Sequence, residues 1–302
     1  MKRHSGQTFA TALLAAAFFF TPSFTVAASP VTADLEEIDR AFPPKTIELT
    51  VPSNGKQMAG HAYLANGPGP HPTVVTLLGF PGNEKNLDLA QSLRRAGFNI
   101  LYFHYRGAWG SEGEFGLHNA SEDAAAAIAF LKKNAKEFRT DPKKISVFGS
   151  SFGGFTALSA AAADTSVQCT VATSPTHFSL LGEKNAAKKD GEKNSGLALG
   201  GDSVPGLKNY SVADLFTEIA SDVEFANVTR RMAAFKGRPL MIVSGDKDGT
   251  TSHSSQLPLV AAGKKAGADP MTHVVFDGDH SFSWRRIEFS EVVVNWMSEN
   301  CR

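Results

Sequence analysis

The sequence predicts an α/β fold, in which a mostly parallel central sheet carries helices on both faces. Short apolar runs such as TVVTLL at 73–78 are continuous rather than alternating, which is typical of strands buried on both faces. These runs alternate with longer stretches of helical spacing, an order that is typical of parallel sheets. The chain of 302 residues is long enough for one such domain with a well-buried core.

The elements follow a polar lead-in that ends at Pro44. The first two strands are amphipathic, and the turn signal Ser53-Asn54-Gly55 separates them. Later strands are continuously apolar. The alanine-rich helix that lies among them, at 122–137, has Ile128 and Leu131 at helical spacing. The predicted order is strands 46–51, 58–64 and 73–78, helix 86–96, strand 99–105, helix 122–137, strand 144–148, helix 152–163, strands 167–173 and 239–244, helix 257–266, strand 272–276 and helix 286–300.

One interval, at about 176–237, contains no buried strand and is called the insertion below. Its part at 182–201 is rich in Lys, Gly and Asn, which predicts a mobile segment, and 212–235 predicts one or two helices. Long ordered insertions are often functional, so we expect a helical cap over a cleft. The alternative is a solvent-facing excursion with no role in binding.

The N-terminus has the pattern of a secretory signal. The basic start Lys2-Arg3-His4 precedes an apolar stretch at 10–20, and the small residues Ala27-Ala28 follow. That stretch is too short to span a bilayer comfortably, which favours a cleaved signal peptide at 1–28 over an uncleaved anchor. We therefore expect a folded domain at 29–302, exported to the periplasm or secreted, with no membrane span after cleavage.

The composition narrows the class of partner. Lys plus Arg and Asp plus Glu each number 30, so the formal net charge is zero and no basic stripe is visible. Binding of nucleic acid or anionic lipid is therefore not expected. We find no His, Cys and carboxylate spacing typical of a metal site, and we predict neither a metal nor a cofactor. The sequence carries no signal of the oligomeric state.

The chain has two cysteines, Cys169 and Cys301. They fall near the start of a predicted strand and at the end of the last predicted helix, at the edge of the sheet away from the expected active site. Export places them in an oxidising compartment, where a disulfide forms readily. A disulfide and two unpaired thiols both remain open.

The strongest local motif is GSSFG at 149–153, which fits G-x-S-x-G between a predicted strand and a predicted helix. A nucleophilic serine must project from a tight, strained turn, and flanking glycines relieve the crowding there. Ser151 has the correct register, whereas Ser150 does not. Glycine-rich turns also bind phosphates, but the strand–turn–helix context favours a nucleophile.

A serine hydroxyl needs a base, and His280 is the best placed of the nine histidines. It lies in a loop after a buried strand and before a helix. His104 and His273 fall within predicted strands, where a structural role is expected. His118 and His177 are candidates for lining a cleft.

The acid that orients the base should follow the preceding strand, where the loop offers Asp246 and Asp248. Asp248 lies further along this loop and is better able to reach His280. Asp246 is interpreted as a turn residue whose side chain bonds local backbone amides. Asp279 adjoins the histidine, but neighbouring side chains in an extended loop point apart.

Acyl transfer also needs hydrogen-bond donors for the developing oxyanion. We expect these to be the backbone amides of Phe152, at a helix N-terminus, and Phe80, in the loop after strand 73–78. Trp109, Phe115 and Phe216 are candidates for an apolar pocket, with ordinary core positions as the alternative.

These motifs resemble the α/β-hydrolase superfamily over essentially the whole chain after the signal. The segment YRGAWGSEGEF at 105–115 resembles the loop after the fourth strand in many members. DPKKI at 141–145, leading into GSSFGG at 149–154, is similar to the dienelactone-hydrolase and prolyl-oligopeptidase-like branches. The resemblance implies triad roles for three residues and oxyanion roles for two more, namely Ser151, Asp248, His280, Phe80 and Phe152. One departure is Leu78-Gly79, where many relatives have His-Gly.

The order Ser, Asp, His, each after a successive strand, is the order of an α/β-hydrolase triad. We therefore predict a serine hydrolase that cleaves carboxylic esters through an acyl-enzyme, acting on a small-molecule ester or a short peptide. The alternatives are a serine aminopeptidase or amidase with the same residues, and a catalytically silent binding protein of the same fold.

Overall fold

The computed structural model describes residues 29–188 and 203–302, so the predicted signal peptide at 1–28 lies outside the described residues. Eight strands form one sheet. The strands are β1 Lys45–Ser53, β2 Lys56–Leu64, β3 His71–Leu77, β4 Asn99–Phe103, β5 Thr140–Ser150, β6 Thr170–Thr173, β7 Leu240–Gly245 and β8 Met271–Phe276. Their order across the sheet is β1-β2-β4-β3-β5-β6-β7-β8.

The sheet is mostly parallel, as predicted. Only β2 runs against its neighbours β1 and β4, and the pairs from β4 to β8 are all parallel. The β1–β2 hairpin turns at Asn54 and Gly55, both with positive φ, so Ser53 pairs with Lys56. Two residues of positive φ match the right-handed twist of the flanking strands, which explains the Asn-Gly signal.

Helices cover both faces of the sheet. They are α1 Leu87–Arg95, α2 Leu117–Lys133, α3 Phe152–Ala163, α4 Phe178–Ala186, α5 Val212–Ser221, α6 Val223–Ala226, α7 His253–Ala266 and α8 Arg286–Asn300. On β3, the neighbouring residues Val74 and Val75 are both fully buried, Val74 in the cluster with α1 and α8 and Val75 in the cluster with α2, α3 and α7. Successive side chains of a strand point to opposite faces, so burial on both sides produces the continuous apolar run.

Some predicted boundaries were wrong. Helix α2 begins at Leu117, five residues before the predicted start, and β5 extends the predicted strand at both ends to Thr140–Ser150. Helix α7 begins at His253 rather than 257, with Pro258 inside it. Strand β6 is shorter than predicted, at Thr170–Thr173.

The insertion is helical in the residues that the structure describes. It contains α4, α5, α6 and a 3₁₀ helix, Val228–Phe235. The segment predicted to be mobile at 182–201 begins within α4, and its remainder from 189 lies outside the described residues. The Glu218 carboxylate of α5 accepts from the Leu117 amide, 2.5 Å away, at the start of α2. A carboxylate at a helix N-terminus is favourable, so this contact anchors the insertion to the domain.

A disulfide joins Cys169 to Cys301, whose Cα atoms lie 5.6 Å apart. It ties the chain just before β6 to the end of α8, at the edge of the sheet opposite the loops that follow the parallel strands. Both cysteines are buried. Among the described helices, none combines the length and the apolar character that crossing a bilayer needs.

Candidate active site

Ser151 occupies the turn between β5 and α3, with φ +57° and ψ −119°. Non-glycine residues rarely adopt this backbone conformation, and the surrounding structure must hold it in place. The Ser151 amide donates to the Thr173 carbonyl at 2.9 Å, and its own carbonyl accepts from the amides of Gly154 and Thr176 at 2.9 and 3.0 Å. These hydrogen bonds hold the strained turn against β6 and the loop after it.

Two glycines make this turn sterically possible. A Cβ on Gly149 would lie 2.0 Å from the Gly153 carbonyl oxygen, and a Cβ on Gly153 would lie 2.0 Å from the Leu77 carbonyl oxygen. Both clashes are with backbone atoms, which have little freedom to move. The glycines of the motif therefore serve the close approach of helix α3 to strands β3 and β5.

His280 and Asp248 meet at the carboxyl ends of β8 and β7. His280 Nδ1 lies 2.9 Å from Asp248 Oδ2, and the Asp248 side chain is fully buried. A carboxylate only accepts, so Nδ1 carries the hydrogen and Nε2 is left as the basic nitrogen. This is the tautomer that a general base requires.

The Asp248 carboxylate accepts hydrogen bonds from several neighbouring groups. Its Oδ1 accepts from the amides of Thr250 and Thr251, each at 2.8 Å, and its Oδ2 accepts from the Thr251 hydroxyl at 2.9 Å. Burial raises the pKa of Asp248, but hydrogen bonds from His280 and Thr251 and the nearby His280 charge outweigh burial and hold the pKa below its usual value. Asp248 is therefore ionised when it faces the imidazole.

Thr251 is a site residue that the sequence reasoning missed. Its hydroxyl contacts Asp248, lies 3.3 Å from His280 Nδ1 and also contacts the Ser174 carbonyl at 3.0 Å. It therefore joins Asp248, His280 and the loop after β6. A hydroxyl residue three positions after a loop aspartate is a signal of such a turn, but its contact with Ser174 is invisible in sequence.

The other two candidate acids do not face the imidazole. Asp246 is exposed and pairs with Lys247 at 3.0 Å. Hydrogen bonds with the backbone of Gly278 and of Asp246 itself also help to lower its pKa, which agrees with the predicted turn role. Asp279 accepts from the amide and hydroxyl of Ser283, each at 2.7 Å, and so stabilises the loop that carries His280.

Ser151 and His280 line one cavity of about 450 Å³. Among the residues that the structure describes, the Ser151 hydroxyl and the His280 imidazole do not form a hydrogen bond. Such nucleophile–base bonds are often long until a substrate completes the site. Most of the remaining lining comes from the loop after β3, the loop after β7 and the insertion, which contributes Phe178, Leu180, Leu181 and Leu215 among others.

The predicted oxyanion donors lie at the same cavity. Phe80 and Phe152 both line it, and within the described residues neither backbone amide donates to a carbonyl. Phe152 is the first residue of α3, where amides lack intrahelical partners and the helix dipole favours negative charge. Both amides are therefore available to a developing oxyanion.

Of the two histidines considered for the cleft, only His177 lines the cavity. Its Nδ1 caps α4 by accepting from the Leu180 amide at 3.4 Å, and burial lowers its pKa, so it is neutral. His118 instead stacks on Phe225, with ring centroids 3.9 Å apart. The aromatic candidates Trp109, Phe115 and Phe216 are not among the lining residues, and the last two belong to the buried core.

A strained serine at a strand–helix turn, in an eight-stranded, mostly parallel sheet, defines a serine hydrolase of the α/β-hydrolase superfamily. The chain belongs to the prolyl oligopeptidase family, whose family model matches residues 86–302. Among the described residues, no group of His, Cys and carboxylate side chains is arranged to hold a metal ion.

Solved structures share the fold at low sequence identity. The esterase Pf2001 of Pyrococcus furiosus superimposes with a TM-score of 0.62 at 17% identity, over 89% of this chain and 99% of that one. Est1E of Butyrivibrio proteoclasticus with bound ferulic acid gives 0.65 at 19%, over 83% and 98%. A putative dipeptidyl aminopeptidase IV of Bacteroides ovatus gives 0.64 at 15%, over 85% of this chain and 36% of that one. These likenesses show the fold.

One curated relative is the uncharacterized 31.7 kDa protein in the traX-finO intergenic region of Escherichia coli. It is 33% identical to this chain over 103 residues, which are 33% of this chain and 36% of that protein. The chain thus matches about a third of that relative's length.

Proposed function

We propose that the chain is an exported carboxylesterase that works through Ser151, His280 and Asp248. The observation that carries the proposal is the 2.9 Å hydrogen bond between His280 and a buried carboxylate, on an imidazole that lines the same cavity as the strained Ser151. A base oriented by an ionised acid beside a nucleophile at a strand–helix turn is the arrangement that acyl transfer needs.

In the proposed reaction, His280 Nε2 takes the Ser151 proton as the hydroxyl oxygen attacks the ester carbonyl. The oxyanion accepts from the amides of Phe80 and Phe152, and collapse of the tetrahedral intermediate expels the alcohol, which receives the proton from the imidazolium. Water, deprotonated by the same imidazole, then attacks the acyl-enzyme and releases the acid. Asp248 holds the Nδ1–H tautomer and stabilises the imidazolium throughout.

The insertion, at about 176–237, is proposed as a cap within the domain 29–302. Its apolar residues Leu180, Leu181 and Leu215 line the cavity, which supports binding of an apolar acyl group. Export to the periplasm or beyond, after removal of a signal peptide at 1–28, is supported by the disulfide, because disulfides persist in oxidising compartments.

The second candidate function is a serine aminopeptidase or amidase. The family match and the likeness to a putative dipeptidyl aminopeptidase support it, since the same triad cleaves amides. Comparing kcat/KM for aryl esters of increasing acyl length with kcat/KM for aminoacyl anilides separates the two. We expect the esters to be turned over faster, and faster turnover of the anilides would favour the peptidase.

The test of the nucleophile is labelling with a fluorophosphonate. We expect wild-type protein to be modified at Ser151, and Ser151→Ala to lose labelling and more than about 10⁴-fold of ester turnover while remaining folded. The control is Ser221→Ala, an exposed serine on α5, which should label as wild type does. A folded wild-type protein that is neither labelled nor active would instead support the binding-protein alternative.

A further inference from the structure

Trp109 lies outside the cavity, yet it contacts the loop that the proposed function assigns to the oxyanion. Its indole Nε1 donates to the Pro81 carbonyl at 2.7 Å. Pro81 directly follows Phe80, whose amide is one of the two proposed oxyanion donors. The indole therefore restrains the chain one residue beyond that donor.

The backbone of the loop at 79–83 makes few hydrogen bonds. Within the part of the chain that the structure describes, the Trp109 indole is the one hydrogen-bond partner of any backbone N–H or carbonyl of these five residues. Gly82 also packs closely on the same side chain, because a Cβ there would lie 3.1 Å from Trp109 Nε1. The Phe80 side chain packs on Phe115, Phe152 and Tyr210, so the loop is anchored by this ring and its backbone is hydrogen-bonded through the Trp109 indole.

Trp109 also contacts the insertion. The Trp109 amide donates to the Gly206 carbonyl at 2.7 Å, and Ala108 forms an isolated bridge with Leu207. Gly206 fits tightly against the indole, since a Cβ there would lie 2.4 Å from ring atom Cε2. The same indole thus contacts both the insertion and the loop at 79–83.

We propose that Trp109 is a positioning residue for the oxyanion loop and that it transmits the position of segment 203–210 of the insertion to the Phe80 amide. The proposal rests on the proposed function, because it assumes that Phe80 serves the oxyanion. Trp109 does not touch the substrate. It acts through Pro81, so its removal should weaken transition-state binding and leave ground-state binding unchanged.

The first test is Trp109→Phe, which keeps an aromatic ring and removes the N–H donor. Misplacing a catalytic donor by a fraction of an ångström is costly, so we expect kcat/KM for an aryl ester to fall about tenfold. Affinity for an alkyl trifluoromethyl ketone, whose adduct on Ser151 carries an oxyanion, should fall by a similar factor. Affinity for the corresponding secondary alcohol, which forms no adduct, should change by less than about twofold.

The second test approaches the indole from the insertion. Gly206→Ala places a methyl group against the ring and should lower kcat/KM and ketone affinity in the same way as Trp109→Phe. Gly206 has φ +85°, so the matched control is Gly237→Ala, at an exposed glycine with φ +66° and no atom within 4 Å of the added Cβ. The control carries the same backbone strain without the contact, and its activity should equal that of wild type.

The two substitutions should not be additive, because each displaces the same loop through the same ring. The double variant should retain about the activity of the weaker single variant. A role in folding alone would lower the midpoint of thermal unfolding but leave ketone affinity of the folded enzyme unchanged, and that result would overturn the proposal. If wild-type protein neither turns over esters nor reacts with fluorophosphonate, the proposed function fails as well. If wild type is active and both variants keep its ketone affinity, the role of Trp109 alone is refuted.

Discussion

At the scale of single residues, Asp246 and Asp248 lie on the same loop but differ in burial and in the groups they contact. Both follow β7, but the Asp248 side chain is fully buried against His280, whereas Asp246 is exposed and pairs with Lys247. The buried carboxylate sets the tautomer of the His280 imidazole. The exposed ion pair is screened by solvent and contributes little.

We expect Asp248→Asn to lower kcat/KM about 10⁴-fold, because an amide that donates to Nδ1 favours the wrong imidazole tautomer. Asp246→Asn, the matched control on the same loop, should stay within about twofold of wild type, since surface substitutions usually have small effects. Steady-state kinetics with an aryl ester checks both variants. Equal losses in the two would show that the acid has been misassigned.

The sequence was sufficient to predict which of these aspartates lies against His280, because that depends on distance along one loop. It was not sufficient to find Thr251, whose hydroxyl reaches the Ser174 carbonyl from a position 77 residues away. No local pattern records that contact. It exists because the loops after β6 and β7 leave neighbouring strands at the same edge of the sheet.

At the scale of the elements, the turn between β5 and α3 is the most demanding local structure. Its glycines are needed because a side chain would clash there, and not because of their backbone conformation. Gly153, for example, has no positive φ and lies within a helix. Alanine is the better helix former, so local propensity alone would favour a substitution there. The backbone of β3 lies so close that an alanine methyl group would clash with it, so glycine is favoured at this position.

We expect Gly153→Ala to reduce the free energy of unfolding by more than about 2 kcal/mol, because the new methyl group meets the Leu77 carbonyl oxygen. The matched control is Gly263→Ala in α7, where the nearest atom is the flexible Met271 sulfur at 2.9 Å. That methyl group can be accommodated by a side-chain shift, and alanine adds helix propensity. Urea denaturation of both variants checks the difference, and a similar loss in each would argue against the backbone clash.

The element boundaries show where local pattern is weakest. The predicted start of α2 at 122 missed the turn that begins after Gly116, where Glu218 from the insertion accepts from the first amide of the helix. A partner 101 residues away supplies that contact, so nothing nearby in the sequence marks the start. The same limit applies to α4, whose His177 cap is a side chain that rarely marks a helix start.

At the scale of the whole molecule, the disulfide is the covalent link between distant parts of the chain. It joins cysteines 132 residues apart, from the chain before β6 to the end of α8. Closing so long a loop in the unfolded chain removes much of its conformational entropy. The bridge therefore stabilises the fold from the edge opposite the cavity.

Replacing both cysteines by alanine should lower the free energy of unfolding by roughly 2–5 kcal/mol and leave ester turnover at 25 °C unchanged. Denaturation with and without dithiothreitol provides the control, because reductant should destabilise wild type and have no effect on the double variant. Unchanged stability of the double variant would contradict a stabilising bridge.

The sequence by itself determined the class of fold, the alternation of strands and helices and the positions expected to carry the triad, because each depends on patterns within a few residues. Only the tertiary structure decided the partners of Thr251, the pairing of the cysteines, the apolar lining from the insertion and the contact of Trp109 with Pro81. Those features join residues far apart in the chain. They arise because parallel strands bring their ends to one edge, where the loops that follow them must pack together.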